Sequence, residues 1–394
     1  MTRKIAKAVL SFVMILFLLF LNLFGLGDYL YPDNASLFEG QRLESVLCFS
    51  CETLQTQEEQ VLAFGVIPIK EVNVTFYENR EVLCGGDLFG IRLESRGLLV
   101  TGIDSIESEG KSISPGKDAG LKKGDILCKG NGMELKNAAT FSKLIAKSEG
   151  NPIRLDLERE GKPLTLFITP AKGEEGYRAG LWVRDGAAGI GTVTFVDPKT
   201  GAFAGLGHAV CDSDTGIPFP FGSGTVCHAK VESITKGGEG SPGELRGTLD
   251  HTRIGTLEAN TLSGVYGKLD QNTPKSGKSV PIGLKNEVNT GKASIFCTLD
   301  SGEKQEYEIE IEEIIGKERD SKNFVLRITD PALLNQTGGI IQGMSGSPIL
   351  QNGKLIGAIT HVLVNDPTRG YGIFIENMLE TAQGVAKKQL KDVS

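Results

Sequence analysis

The sequence predicts a mainly β chain in three parts: an N-terminal apolar helix, a small α+β domain and a larger all-β domain. Three observations predict it. An apolar stretch, Ala8 to Leu26, broken only by Ser11, Asn22 and Gly25, follows Arg3, Lys4 and Lys7. Glycine is abundant, 51 of 394 residues, and falls between short alternating runs, as expected for many strands and tight turns. Helical spacing is confined to residues 137–147 and to the last twenty residues. Charged residues at 23% and apolar ones at 40% are ordinary for a globular protein. The net charge of -7, with no basic block after the N-terminus, argues against a nucleic-acid partner.

Residues 1–27 read as a signal or membrane anchor. Positive charge ahead of an apolar run directs the bulk of the chain outward, and the run is near the ~20 residues needed to span a bilayer. Gly25-Leu26-Gly27 is a poor cleavage point, so an uncleaved or late-cleaved anchor is expected. Residues 28–80 read as a juxtamembrane segment with one strand, Val61 to Ile69. The seven cysteines are an odd count, and Cys48-Phe49-Ser50-Cys51 lacks the second pair that a zinc site needs. Scattered thiols in an exported, weakly oxidising compartment are expected, with no metal site.

Residues 81–172 form the α+β domain. Gly85 to Leu93 is a glycine turn running into a strand, and Gly97 to Gly102 is a second strand. Asn137 is placed to cap a helix carrying Phe141, Leu144 and Ile145. Ile153–Leu157 and Leu164–Ile168 form a hairpin around Glu160-Gly161. The run Ala119-Gly120-Leu121-Lys122-Lys123-Gly124-Asp125-Ile126-Leu127, followed by Asn131-Gly132, resembles the PDZ domains of bacterial proteases. That resemblance implies a peptide groove between the strand Phe89–Leu93 and the helix from Asn137, with Gly86, Leu88, Phe89, Gly90 and Ile91 as its binding residues. A peptide would extend the sheet there, its carboxylate held by backbone N–H groups of the Gly86–Gly90 turn.

Residues 173–394 form the all-β domain. Strands are predicted at 189–196, 202–210, 226–234, 255–257, 293–299, 307–314 and 324–328, with a last helix over 375–389. Near its end lies Gly338-Gly339-Ile340-Ile341-Gln342-Gly343-Met344-Ser345-Gly346-Ser347-Pro348. A serine among glycines lets successive N–H groups converge beside a hydroxyl, which acyl transfer requires. It is not the elbow of the α/β-hydrolases, because Ser347 stands at the second glycine position. This disfavours an esterase. It is similar to the Gly-x-Ser-Gly-x-Pro signature of chymotrypsin-like serine proteases. Asn352-Gly353 then predicts a two-residue hairpin. With Gln351 opposite Lys354, Ser345 falls opposite Thr360 and Met344 opposite His361, so His361 is expected to point away from the serine.

The chain has four histidines, and a serine protease needs one as base. His208, in Gly205-Leu206-Gly207-His208, has the small neighbours a cleft needs. The orienting carboxylate is left among Asp330, Asp250 and Asp212. Asp330 also reads as the N-cap of a helix opening at Pro331, and Asp250 fits the chymotrypsin order better.

The motifs Gly205-Leu206-Gly207-His208, Gly237-Gly238-Glu239-Gly240-Ser241-Pro242-Gly243-Glu244, Gly343-Met344-Ser345-Gly346-Ser347-Pro348 and Thr360-His361-Val362-Leu363-Val364-Asn365-Asp366-Pro367 together resemble the stage IV sporulation protein B peptidases over nearly the whole chain. The resemblance implies a chymotrypsin-like β-barrel peptidase behind a PDZ domain. Ser345 would be the nucleophile, His208 the base and Asp330 the orienting acid. Gly343 and Ser345 would supply the oxyanion hole, with Thr360 and His361 in support. It also implies a sporulation signalling endopeptidase, membrane-anchored or released between the forespore membranes. Its substrates would be itself and a membrane-associated regulator of an intramembrane protease, whose cleavage activates a late sigma factor. No cofactor is implied. The competing class is an anchored adaptor with a vestigial protease domain.

Overall fold

The computed structural model describes residues 2–55, 57–275, 277–299, 302–316 and 321–392. The chain divides into two compact units, Met1–Arg80 with Leu284–Val288, and Glu81–Gly283 with Asn289–Ser394.

In the first unit the apolar N-terminal run forms the helix Thr2–Leu30, long and apolar enough over Val9–Leu30 to cross a membrane. The segment after it is more than a tether. Asn34–Phe38, Ile67–Tyr77, Glu58–Ala63 and Phe49–Gln55 pair in that order as a four-stranded sheet. Tyr31, Leu37, Phe49, Val61, Val72 and Val74 are buried together beneath it. The strand expected over 61–69 is two strands. Phe64 and Gly65 take left-handed φ values of 54° and 71°, which turns the chain between Ala63 and Ile67.

The second unit holds two rings of strands. In the first, Leu88–Ile103, Phe221–Thr235, Glu244–Thr261, Gly264–Leu269, Ala202–Gly205 and Leu181–Val196 pair in sequence, and the last pairs back to the first. Phe89, Ile91, Leu93, Phe203, Leu206, Val226, Leu257 and Val265 are buried in its core. The second is a closed barrel of Gly291–Thr298, Lys304–Ile314, Phe324–Ile328, Asp366–Phe374, Lys354–Leu363 and Pro348–Gln351. The C-terminal helix Ile375–Asp392 follows, burying Met378 and Leu379.

The small α+β domain is an insertion in the first ring. The two strands that flank it, Leu88–Ile103 and Leu181–Val196, are hydrogen-bonded neighbours, with Ile103 opposite Leu181. Between them lie Ile126–Gly130, the helix Ala138–Lys147 and the hairpin Ile153–Arg159 with Lys162–Ile168. The Asn137 side chain accepts from Thr140 N–H at 2.8 Å, so the expected cap is present. The two strands expected over 85–102 are one continuous strand that serves two cores. Phe89, Ile91 and Leu93 fill the ring, while Leu98 and Val100 fill the inserted domain. The boundary drawn at 172/173 therefore does not divide two cores.

The same strand rules out the expected groove. Phe89, Gly90 and Ile91 are bonded to residues 189–191 on one side and to 226–228 on the other, so no edge is open to a peptide. Gly86 N–H donates to the Val193 carbonyl at 2.8 Å, and the Gly86 carbonyl accepts from Thr298 Oγ1 at 2.9 Å. Gly90 is glycine because a Cβ would lie 2.7 Å from Cys227 Sγ. Gly86, Leu88, Phe89, Gly90 and Ile91 are parts of the ring and not a carboxylate-binding turn. The open strand beside the helix is Leu181–Val183. Among the described residues those three pair with Val100–Ile103 on one edge only, and with Phe141, Ser142, Ile145 and Tyr177 they line a cleft of about 460 Å³.

Because Ile103 and Leu181 are already paired, residues 104–180 are expected to be removable. Joining the two through Asn-Gly, with Leu98 and Val100 changed to Thr because they lose their cover, should leave a protein that melts cooperatively. Loss of a cooperative melt would show that the ring needs its insertion.

Candidate active site

Ser345 sits where the chain enters the strand Pro348–Gln351 of the closed barrel. The approach is built from the helix Pro331–Thr337. Asp330 caps its N-terminus, accepting from Ala332 N–H at 2.8 Å and Leu333 N–H at 3.2 Å. Gly338 ends it at φ 73°. A segment from the first ring straps the following residues. Gln342 N–H donates to the Gly243 carbonyl and Leu245 N–H to the Gln342 carbonyl, each at 2.8 Å, while Gly240 N–H donates to the Val364 carbonyl at 2.9 Å. The Gly237–Glu244 motif thus braces both chain segments that border the serine.

The hairpin forms at Asn352-Gly353, with φ values of 53° and 77°, and Gln351 pairs with Lys354 as expected. A bulge between Ile349 and Leu350 then shifts the register by one residue. Extrapolation from Gln351 therefore fails at Ser345. A second irregularity, between Ile359 and His361, leaves Thr360 out of the pairing with the next strand. Thr360 is buried, its hydroxyl donating to the carbonyls of Ser321 at 2.7 Å and Tyr371 at 3.2 Å. Ser345 Oγ donates to the Thr360 backbone carbonyl at 2.8 Å. His361 does not turn away from the site. Its ring lies 4.8 Å from that of His208, tilted by 39°.

His208 reaches this position through two successive left-handed residues, Leu206 at φ 65° and Gly207 at φ 68°. A Cβ on Gly207 would lie 2.8 Å from Thr360 Cγ2, so the motif needs glycine for close approach to the second barrel. His208 Nδ1 lies 2.8 Å from the Ala209 carbonyl oxygen. A carbonyl only accepts, so Nδ1 carries the proton and Nε2 is left as an acceptor. Burial holds His208 below the usual histidine range. His361 is pushed down to about 4, first by burial and then by His208 and Lys322. Its Nδ1 is buried without a partner among the described residues.

The structure therefore links Ser345 to the Thr360 carbonyl, and sets His361, the next residue, beside His208. The N–H groups of Gly343 and Ser345 donate to no protein acceptor among the described residues, as an oxyanion hole requires. Among the described residues no carboxylate is bonded to either imidazole ring. The Asp330 oxygens serve the helix cap and Glu308 N–H, the latter at 3.3 Å. Asp250 accepts from Thr252 N–H at 3.2 Å. Asp212, buried, is paired with Arg184. Sequence reasoning missed two more residues. Thr192 and Thr194 face the serine loop from the first ring, and the only signal was their alternation in Gly191-Thr192-Val193-Thr194.

A family model described as SpoIVB peptidase S55 matches residues 175–379. Two curated proteins share short stretches with this chain. Protease RseP of Yersinia pestis is 38% identical over 68 residues, 17% of this chain and 15% of that protein. Regulator of sigma-E protease RseP of Salmonella typhimurium is 34% identical over 68 residues, with the same coverage. The chain thus spans about 15% of the length of these relatives. Among solved structures, the active form of the Rv3671c protease of M. tuberculosis overlaps 49% of this chain and 72% of its own, at 15% identity and a TM-score of 0.28. The inactive form overlaps 50% and 83%, at 15% identity and 0.27. Overlaps this loose carry no argument about fold.

Both imidazoles titrate lower in the folded chain than the ~6.5 of an unfolded histidine. Between those values the unfolded chain binds more protons, so stability is complete above about pH 6.5 and falls as pH drops toward 4. Urea midpoints at pH 7 and pH 4.5 should differ more for wild type than for His361→Gln. Equal differences would mean that His361 is not held neutral by the fold.

Proposed function

Because the chain belongs to the SpoIVB peptidase S55 family, a family of serine peptidases, we propose that it is a membrane-anchored endopeptidase of the chymotrypsin-like kind that cuts itself and a membrane-associated regulatory protein. The observation that carries the site reading is the convergence of Ser345, the His208–His361 pair and the free N–H groups of Gly343 and Ser345. Ser345 is the nucleophile. Its hydroxyl leaves the Thr360 carbonyl and meets Nε2 of His208, which takes the proton as Oγ attacks the scissile carbonyl. The Gly343 and Ser345 N–H groups receive the oxyanion. His208 then returns the proton to the departing amine, and water repeats the cycle on the acyl-enzyme. The Ala209 carbonyl does the orienting that a carboxylate does in other serine peptidases, and Asp330 acts through the helix that leads to the serine.

The inserted domain is read as PDZ-like, with its peptide groove between Leu181–Val183 and the helix Ala138–Lys147. A peptide would add to the open strand edge, and Phe141 and Ile145 would meet its side chains. The sporulation role rests on the family: an exported enzyme between the forespore membranes whose cut frees an intramembrane protease to activate a late sigma factor. The helix Thr2–Leu30 supports the anchor.

Two experiments test this. Ser345→Ala and His208→Ala are expected to abolish self-cleavage, losing several orders of magnitude, while Asp330→Asn, an equally good cap, stays within about threefold. A fall near 10⁴ in Asp330→Asn would instead restore Asp330 as the acid. For the groove, Ser142→Trp is expected to slow cleavage of the protein substrate and leave fluorophosphonate labelling of Ser345 unchanged. Unaltered cleavage would remove the groove from substrate selection.

A further inference from the structure

Thr192 and Thr194 are fully buried, and both hydroxyls leave the first ring to meet the serine loop of the second. Thr192 Oγ1 donates to the Gly343 carbonyl at 2.7 Å, and Thr192 N–H donates to the Ser345 carbonyl at 3.0 Å. Thr194 Oγ1 donates to the Gly346 carbonyl at 2.8 Å. Three carbonyls that bracket the nucleophile are thus held from one strand.

That strand is itself fixed. Gly85 N–H donates to the Thr194 carbonyl at 3.0 Å, and Gly86 N–H to the Val193 carbonyl at 2.8 Å. Val193 N–H donates to the Asp87 carbonyl at 3.0 Å, and Leu206 N–H to the Thr192 carbonyl at 3.2 Å. A β-branched residue suits any buried strand position, and valine would fill the same volume. Only the hydroxyls satisfy the Gly343 and Gly346 carbonyls, which valine would leave without these donors.

We propose that Thr192 and Thr194 are positioning residues for peptide hydrolysis, setting the peptide planes of the 343–346 loop so that the N–H groups of Gly343 and Ser345 stay aimed at the oxyanion. The donors lie in neighbouring planes: the plane carrying Ser345 N–H is flanked by those of the held Gly343 and Ser345 carbonyls, and the plane carrying Gly343 N–H, whose own Gln342 carbonyl accepts from Leu245 N–H, adjoins that of the held Gly343 carbonyl, so each donor is set through a Cα it shares with a held plane. Met344 N–H is consumed at 3.1 Å by the Ile341 carbonyl. The donors left over are the two the reaction uses. The proposal rests on Ser345 as nucleophile.

The test uses the full chain in detergent and a fluorophosphonate, whose phosphoryl oxygen occupies the oxyanion position as Oγ displaces fluoride. The saturating labelling rate and the half-saturating concentration are measured separately. Thr192→Val is expected to lower the saturating rate by roughly 10- to 100-fold, in line with a displaced oxyanion donor, with half-saturation unchanged. Thr192→Ser, which keeps the hydroxyl, should return to within about threefold of wild type. Thr194→Val should show the same split with a smaller loss, and carries the test if Thr192→Val does not fold. A Val variant within twofold of wild type overturns the proposal, as does a Ser variant as slow as Val. So does an effect confined to half-saturation. Ser345→Ala is run alongside. Labelling that persists there overturns the nucleophile assignment and the clamp with it, whereas silent Ser345→Ala with indifferent threonines overturns the clamp alone.

Discussion

Everything at the site depends on how closely two backbones approach at Gly346. A Cβ there would overlap the Thr192 carbonyl oxygen and the Leu206 nitrogen. With glycine at φ 94°, the serine loop of the closed barrel lies directly on two strands of the first ring. Leu206 then starts the left-handed turn that delivers His208, and Thr192 bonds on either side of Ser345. Ser345 and His208 belong to different rings, and both lie within two residues of this contact. A side chain of any size at 346 would move one ring against the other.

The electrostatics follow from the same closeness. Two imidazoles 4.8 Å apart cannot both be protonated without repulsion, and burial penalises even one charge. The pair is therefore neutral over the pH range where a base is useful. Other serine peptidases compensate a transient imidazolium with a buried carboxylate. Here His208 has a backbone dipole in that place. The tautomer is fixed by it, but among the described residues no full negative charge is supplied. Lys322, close enough to His361 to lower its affinity for a proton, adds to the preference for neutrality.

How far the sequence revealed this varies with the kind of information needed. Local chemistry was legible: Asn137 and Asp330 as caps, Asn352-Gly353 as a turn, the strand Phe324–Ile328 and the His208 and Ser345 motifs. Each depends on a few adjacent residues. Register was not legible beyond the first bulge. The shift between Ile349 and Leu350 has no side-chain signature, and it moved His361 into the site. Topology failed for another reason. Phe89 to Leu93 reads as a strand in either a peptide groove or a ring, and only pairing on both edges decides between them. The insertion escaped notice because Leu88–Ile103 satisfies two cores with one alternating pattern. Thr192 and Thr194 were invisible because buried threonine in a strand needs no explanation until its acceptors are known.

The strand Leu181–Val196 begins beside the cleft of the inserted domain and ends on the carbonyls around Ser345. From Val183 to Thr192 is about 30 Å at the usual strand rise. The two places share one polypeptide rod, with no loop between them. Its weak section is Asp185-Gly186-Ala187-Ala188-Gly189, where the side chains are small and the pairing slips between Arg184 and Gly186. Any change in twist imposed at the cleft has to be absorbed in those five residues or arrive at the serine. The stiffness of that short glycine-alanine stretch is therefore the quantity that sets how independently the two ends of the strand behave.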